Sequence, residues 1–276
     1  MLKKKTNQRN RSCESEKLTY GEHLEILRQL LFRILGVTGI IAVVIFYFKD
    51  LTWQILLAPS DWNFVSYRLI ENLIKLLGFD EFHFEEFHVD LIVTELSSQF
   101  MTHITTAIYL GLLGASPYIL YELFRFISPA LYETERKYSV KIAVTIYVLF
   151  IIGVLMTYYI LFPISFRFLG TYSIADRIHS SITLDSYITT FTSLTLVMGL
   201  VFQLPVLTFF LGKLGLVNSW MLIDYRRHAF FTIMLVAAII TPPDIMTLIL
   251  VTIPLYLLFE ISIRVLIYIE RNEEMD

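Results

Sequence analysis

The stretch Leu30–Phe48, LLFRILGVTGIIAVVIFYF, holds nineteen residues with a single charge, Arg33 near its start. A bilayer's hydrocarbon core of ~30 Å needs about 20 such residues in a helix, so this run reads as a membrane span. Composition agrees with that reading. Of 276 residues 56% are hydrophobic and 17% charged, and the mean hydropathy is +0.64. Soluble domains carry about 25% charged residues because their surface faces water. A chain this apolar suits a solvent of lipid tails, and a net charge of −3 gives no sign of a nucleic-acid partner. The basic start, Lys3 to Arg11, lacks the compact apolar stretch and small-residue site of a cleavable signal peptide, so the first span is expected to stay in place.

Five further stretches approach spanning length: Gln99 to Ile127, Val140 to Phe162, Tyr187 to Leu211, Ala229 to Thr241 and Ile245 to Ile263. The expected fold is an all-α integral membrane protein of six helices, the fifth and sixth short. Pro117, Pro163, Pro205 and Pro254 are expected to kink helices two, three, four and six into a concave bundle. The fifth stretch reaches only about 20 Å. It joins the sixth through Thr241-Pro242-Pro243-Asp244, which cannot itself be helical. Asp244 is placed to cap the sixth helix.

The loops give a direction. Basic residues mark the N-terminal tail, the second-to-third connection (Arg136, Lys137, Lys141), the fourth-to-fifth (Lys213, Arg226, Arg227) and the end (Arg264, Arg271). Between Lys49 and Glu95 acids outnumber Lys49, Arg68 and Lys75. Lys and Arg stay on the cytoplasmic side, which predicts N-in/C-in in a multi-pass cytoplasmic (inner) membrane protein. The domain plan is a basic cytoplasmic tail (1–19), a membrane domain (20–267) with an acidic outer loop (51–98) and a cytoplasmic loop (128–138), and a C-terminal tail (268–276). Within the outer loop, Asp80 to His88 is dense in His and carboxylates, as a metal site would be, but no zinc spacing is present. Its alternation with Phe equally fits short strands or a helix on the membrane surface. One cysteine, Cys13, makes neither an internal disulfide nor a metal site.

Several motifs then fall in order along the chain: His23-Leu24-Glu25-Ile26-Leu27-Arg28, Phe126 to Lys137 (FISPALYETERK), Phe202-Gln203-Leu204-Pro205, Thr241-Pro242-Pro243-Asp244, Ile253-Pro254-Leu255 and Phe259-Glu260-Ile261. From about Tyr20 to Ile267 the chain resembles TatC, the multi-spanning receptor subunit of the twin-arginine protein translocase. That resemblance implies export of folded proteins driven by the proton-motive force, with no enzyme activity and no cofactor of its own. The implied partners are twin-arginine signal peptides, single-span subunits of the TatA/TatB type, and the other members of a multimeric membrane complex. It implies signal-peptide binding by Glu135, with Arg136 beside it, and by the acidic stretch before the first helix.

Carboxylates suit this task because two planar, always charged guanidinium groups are best held by paired N–H···O bonds. The family has Glu where this chain has Ile26. One residue rotates a helix by about 100°, so Glu25, or Glu22 one turn before Ile26, is the expected substitute. Arg28 carries either a binding role or a snorkelling one, and Arg33 a snorkelling one. Gln203 stands where the family has Glu or Gln; it reads as a contact for a partner helix or as an interhelical hydrogen bond. Thr241, Asp244 and Thr247 complete the intramembrane polar set, Thr247 being the nearest polar group to Leu248, where the family is often polar. Glu122 and Glu260 are expected to pair with Arg125 and Arg264. A rival reading as a small-solute or ion-coupled transporter uses Glu122, Gln203 and Glu260 as a proton path, but no internal repeat accompanies it. A membrane-embedded enzyme lacks its motifs, such as His-Glu-x-x-His or Gly-x-Ser-x-Gly.

Overall fold

A computed structural model describes residues 20–76, 87, 89–127, 139–173 and 181–273. Lipid offers the backbone no hydrogen bonds, so a spanning segment must satisfy its own, and helices dominate. The first helix, α1 (Tyr20–Tyr47), begins ten residues before the apolar run. Its polar first turns, rich in Glu, Leu and Arg, favour helix on their own account. The tail carboxylates therefore lie on the helix itself. After α2 (Lys49–Leu57), a 3₁₀ turn (Ala58–Ser60) and α3 (Val65–Leu76) comes α4 (Ser98–Ile127). Antiparallel to α1, it packs through small residues spaced four apart: Ala107, Gly111 and Ala115. A Cβ on Gly111 would stand 2.8 Å from the Ala42 Cβ and 3.0 Å from its backbone, so only glycine permits this approach.

The third span is α5 (Ser139–Met156), a π turn (Thr157–Leu161) and α6 (Phe162–Thr171). Pro163 lacks the N–H that would continue the ladder, and the widened turn absorbs the defect. The fourth span is α7 (Leu184–Val201) and α8 (Leu204–Lys213), interrupted at Phe202 and Gln203 just before Pro205. Gly215, at φ 68°, ends α8 in the left-handed conformation, with the Leu216 amide returning to the Leu211 carbonyl at 2.9 Å. Short α9 (Ser219–Asp224), α10 (Arg226–Ile240) and α11 (Ile245–Glu273) complete the chain.

Five segments are long and apolar enough to cross a membrane: Leu24–Tyr47, Ser98–Leu123, Ile142–Thr171, Leu184–Lys213 and Ile245–Arg271. At 15 residues, α10 reaches only about 22 Å and is not among them. The expectation of a short sixth helix is corrected. With 29 residues, α11 runs through Pro254 to Glu273, into the stretch expected as a tail. Pro117 and Pro254 lie inside unbroken helices, whereas Pro163 and Pro205 coincide with changes of helix. The chain is also not purely helical, since β1 (Leu91–Ile92) pairs in parallel with β2 (Ile182–Thr183) and ties two loops together.

The end of the bundle carrying α2 and α3, here the cap end, holds the aromatic core. Phe162 meets the Tyr187 and Phe191 rings edge-on at 4.9 Å. Tyrosine hydroxyls fasten the cap to the spans: Tyr187 donates to the Leu56 carbonyl and Tyr158 to that of Ile55, both at 2.7 Å. The Tyr67 hydroxyl lies 2.9 Å from the Pro59 carbonyl and 3.0 Å from that of Pro163. Burial pushes the Tyr67 phenol well above its ordinary pKa, and the Arg167 charge offsets only part of this. Tyr67 thus stays a donor at any working pH.

At the α10–α11 hairpin, Asp244 Oδ1 accepts the Thr247 amide at 2.6 Å, the N-cap that the sequence suggests. The Thr241 hydroxyl returns to the Ala237 carbonyl at 3.0 Å. Asp244→Ala is expected to cost about 1 kcal/mol, with faster hydrogen exchange at the Thr247 amide. Gly111→Ala is expected to cost about 1–3 kcal/mol, read as a lower unfolding temperature in detergent. Gly36→Ala, whose new Cβ meets nothing within 4 Å, gives no such loss.

Candidate functional site

Of the expected recognition residues, Glu25 and Arg28 lie at the opposite end, here the tail end, where α1 begins and α4 finishes. The contact register fixes this. Gly111 lies against Ala42, Gly114 against Ile41, and Arg33 Nη1 stands 3.8 Å from Glu122 Oε1. Carried one further turn, the same antiparallel register sets Arg28 level with the last residues of α4. The segment that follows Ile127 therefore starts beside the first turns of α1. Glu135 and Arg136 fall in that segment, 128–138, and lie outside the described residues.

On α1 itself, Glu25 is already engaged. Arg28 Nη2 donates to its Oε1 at 2.7 Å, and Gln29 Nε2 reaches the same oxygen at 3.3 Å. Both charged side chains are about half exposed or more, 47% and 66%, so water screens the pair and its net worth is small. Ile26 is 40% exposed and presents hydrocarbon where the family presents an acid. The backbone of Glu22 lies in the first turn of α1, four residues before Ile26 and on the same helical face.

Deeper in the bundle two carboxylates share one arrangement. Glu122 is buried, and accepts from the Tyr118 hydroxyl at 3.1 Å with Arg33 opposite. Glu260 accepts from the Tyr256 hydroxyl at 3.1 Å and from Arg226 Nη2 at 3.0 Å. The partners expected from the sequence, Arg125 and Arg264, are both displaced by an arginine from another helix. A residue four away on the same helix supplies the tyrosine, and that Tyr-x-x-x-Glu spacing is legible at both places. The arginine is not, because it depends on which helices touch. Nearby, Glu270 of α11 accepts the Ser219 amide at 2.6 Å and, through its other oxygen, the Ser219 hydroxyl, holding the start of α9.

Gln203 sits in the break of the fourth span. Its Nε2 donates to the Ile146 carbonyl of α5 at 3.1 Å and to Gly199 at 3.4 Å, so the interhelical bond is present. Its Oε1 is buried and meets no donor among the described residues. Thr241, Asp244 and Thr247 stand at the cap end, apart from the tail-end charges. Asp244 Oδ2 and the Thr247 hydroxyl are buried and, among the described residues, unpaired. No group of three His, Cys, Asp or Glu among the described residues is placed to hold a metal ion. The stretch Asp80 to His88 lies almost wholly outside those residues, Phe87 excepted. A groove of about 500 Å³ runs between α5, α8 and α11.

Known proteins share both sequence and architecture with this chain. The family description "Sec-independent protein translocase protein (TatC)" matches residues 22–254. The TatC of Blattabacterium sp. subsp. Periplaneta americana is 33% identical over 263 residues, covering 94% of this chain and 99% of that protein. The TatC of Desulforapulum autotrophicum is 32% identical over 252 residues, 91% of this chain and 85% of its own. A crystal structure of the twin-arginine translocase receptor TatC in DDM superposes with a TM-score of 0.71 at 29% identity, over 89% of this chain and 99% of that one. With the ordered helices, the paired intramembrane carboxylates and these matches in hand, the chain belongs to the TatC family of the Sec-independent, twin-arginine protein translocase, a transport component of a membrane machine.

Proposed function

We propose that this protein is the receptor and organising subunit of a twin-arginine translocase. It binds the paired arginines of signal peptides at its tail end, gathers TatA/TatB-type single-span subunits into a multimeric complex, and supports proton-motive-force-driven export of folded proteins. In this reading the termini are cytoplasmic, the membrane is the bacterial inner membrane, and α10 is a short sixth crossing at which the bilayer thins. The observation that carries it is the α1–α4 register, which starts the segment bearing Glu135 and Arg136 next to Glu22, Glu25 and Arg28. In this reading a carboxylate of α1 and one of that segment act together on the two adjacent guanidinium groups. The transporter reading loses its proton path, because Glu122 and Glu260 are each held by a tyrosine and an arginine rather than facing an open channel.

A signal peptide carrying a photocrosslinker beside its arginine pair is expected to label the 128–138 segment in membranes. Labelling should disappear with a Lys-Lys peptide and with Glu135→Lys, and should fall with Glu22→Lys or Glu25→Lys. Undiminished labelling and export in all three variants would falsify the assignment. Gln203 separates stability from partner binding. Its interhelical bond is of a kind worth about 0.6 kcal/mol on average in membranes, so Gln203→Leu should barely move the unfolding temperature. Under the proposed partner contact, export by that variant drops several-fold. Unchanged export would leave Gln203 a packing residue alone.

A further inference from the structure

The groove between α5, α8 and α11 plays no part in the reading above. Its wall is hydrocarbon apart from Thr145. Ile142 and Ile152 mark its length along α5, Phe209 lines it from α8, and Ile261 and Val265 line it from α11. Ten residues of helix set that length at about 15 Å, and the volume is about 500 Å³. That length and an apolar wall suit an extended acyl chain. It opens sideways, with Ile152 47% and Ile261 45% exposed. All its walls belong to candidate membrane spans, so the opening faces lipid rather than water.

Two cations stand at its tail end. The groove face of α8, Pro205 and Phe209, continues at the same four-residue step to Lys213, the last residue of the helix. On α11, exposed Arg264 follows Ile261 by three residues. Glu260 is occupied by Arg226 at 3.0 Å, and Arg264 has no ion-pair partner among the described residues. Arg226 opens α10, so its pairing sets Glu260 level with the start of that helix. Arg264 follows Glu260 by one helical turn toward the tail end.

We propose that this groove binds one anionic phospholipid of the tail-end leaflet, an acyl chain lying along α5 and the phosphate between Lys213 and Arg264. The proposal leans on the reading above only in calling that leaflet cytoplasmic. Its test uses the delipidated full-length chain in a nonionic detergent, without signal peptide or partner subunits, so its outcome is independent of the translocase assignment. Native mass spectrometry would follow titration with phosphatidylglycerol or phosphatidylcholine. Wild type and the charge-keeping K213R/R264K variant should retain phosphatidylglycerol. K213Q/R264Q should bind it about tenfold more weakly, and wild type should bind phosphatidylcholine with a similar deficit. Val206→Trp, which fills the groove, should lose the adduct; Thr145→Trp at the rim serves if the first variant unfolds. Phosphatidylglycerol binding unaffected by both the charge and the filling variants would overturn the proposal, as would equal affinity for the two lipids. Displacement of the lipid by a single-span subunit in the reconstituted complex would assign the groove to that subunit instead.

Discussion

Inside a bilayer the backbone has no water to fall back on, and the architecture follows from how this chain meets that constraint. Regular helix satisfies it without help. The informative places are those where proline breaks the ladder, and each is met by a polar side chain. At Pro163 the helix widens into a π turn and the Tyr67 hydroxyl comes within 3.0 Å of the proline carbonyl. Before Pro205, the Gln203 amide reaches back to Gly199 and across to Ile146. At Pro242-Pro243, Asp244 restarts the next helix by accepting the Thr247 amide. Sites with such polar insertions are also where a partner's backbone or side chain can compete, which is why Gln203 and the hairpin are both structural and candidate contact points.

Charge is handled in the same spirit. A lone carboxylate at membrane depth is costly. Here Glu122 and Glu260 each receive a tyrosine from their own helix and an arginine from another. The two clusters pin α4 to α1 and α11 to α10. They also sit toward the tail end, which lacks the aromatic core of the cap end. Aromatic packing holds the cap, while toward the tail the paired polar groups join a smaller cluster of Leu120, Ile146 and Phe150. An end assembled in this way can be rearranged by a charged ligand more readily than a dry aromatic core, because exchanging one arginine for another leaves no cavity.

Spans one to four and the proline positions were legible because spanning length and hydrophobic runs act locally. The length of α11 was not, since Arg264, Glu270 and Arg271 end the apolar run and read as a boundary. Once each meets a partner or reaches the interface, the helix continues past them. The start of α1 was misplaced for a related reason: polar residues close a membrane segment but do not close a helix. The ion-pair partners of Glu122 and Glu260 were also misread, because proximity in sequence is a poor guide where helices touch within a few ångströms. Of the candidate site, Glu25, Arg28 and Gln203 could be named from the chain, but their present partners could not.

Glu25 shows what that difference means for recognition. The family acid is missing at Ile26, and the nearest carboxylate on the same stretch is held by Arg28 at 2.7 Å. In the proposed reading an incoming guanidinium exchanges with an arginine already on the chain. That exchange is close to balanced if the newcomer merely copies one contact, and favourable only if it gains a second. A pair of adjacent arginines can gain it, one at Glu25 and the other at a carboxylate arriving from the segment after Ile127. A single arginine, or a lysine with its compact and strongly hydrated charge, gains less. In the proposed reading the Arg28–Glu25 pair, half exposed and worth little, is readily exchanged, and two adjacent arginines are favoured over one because they gain a second contact.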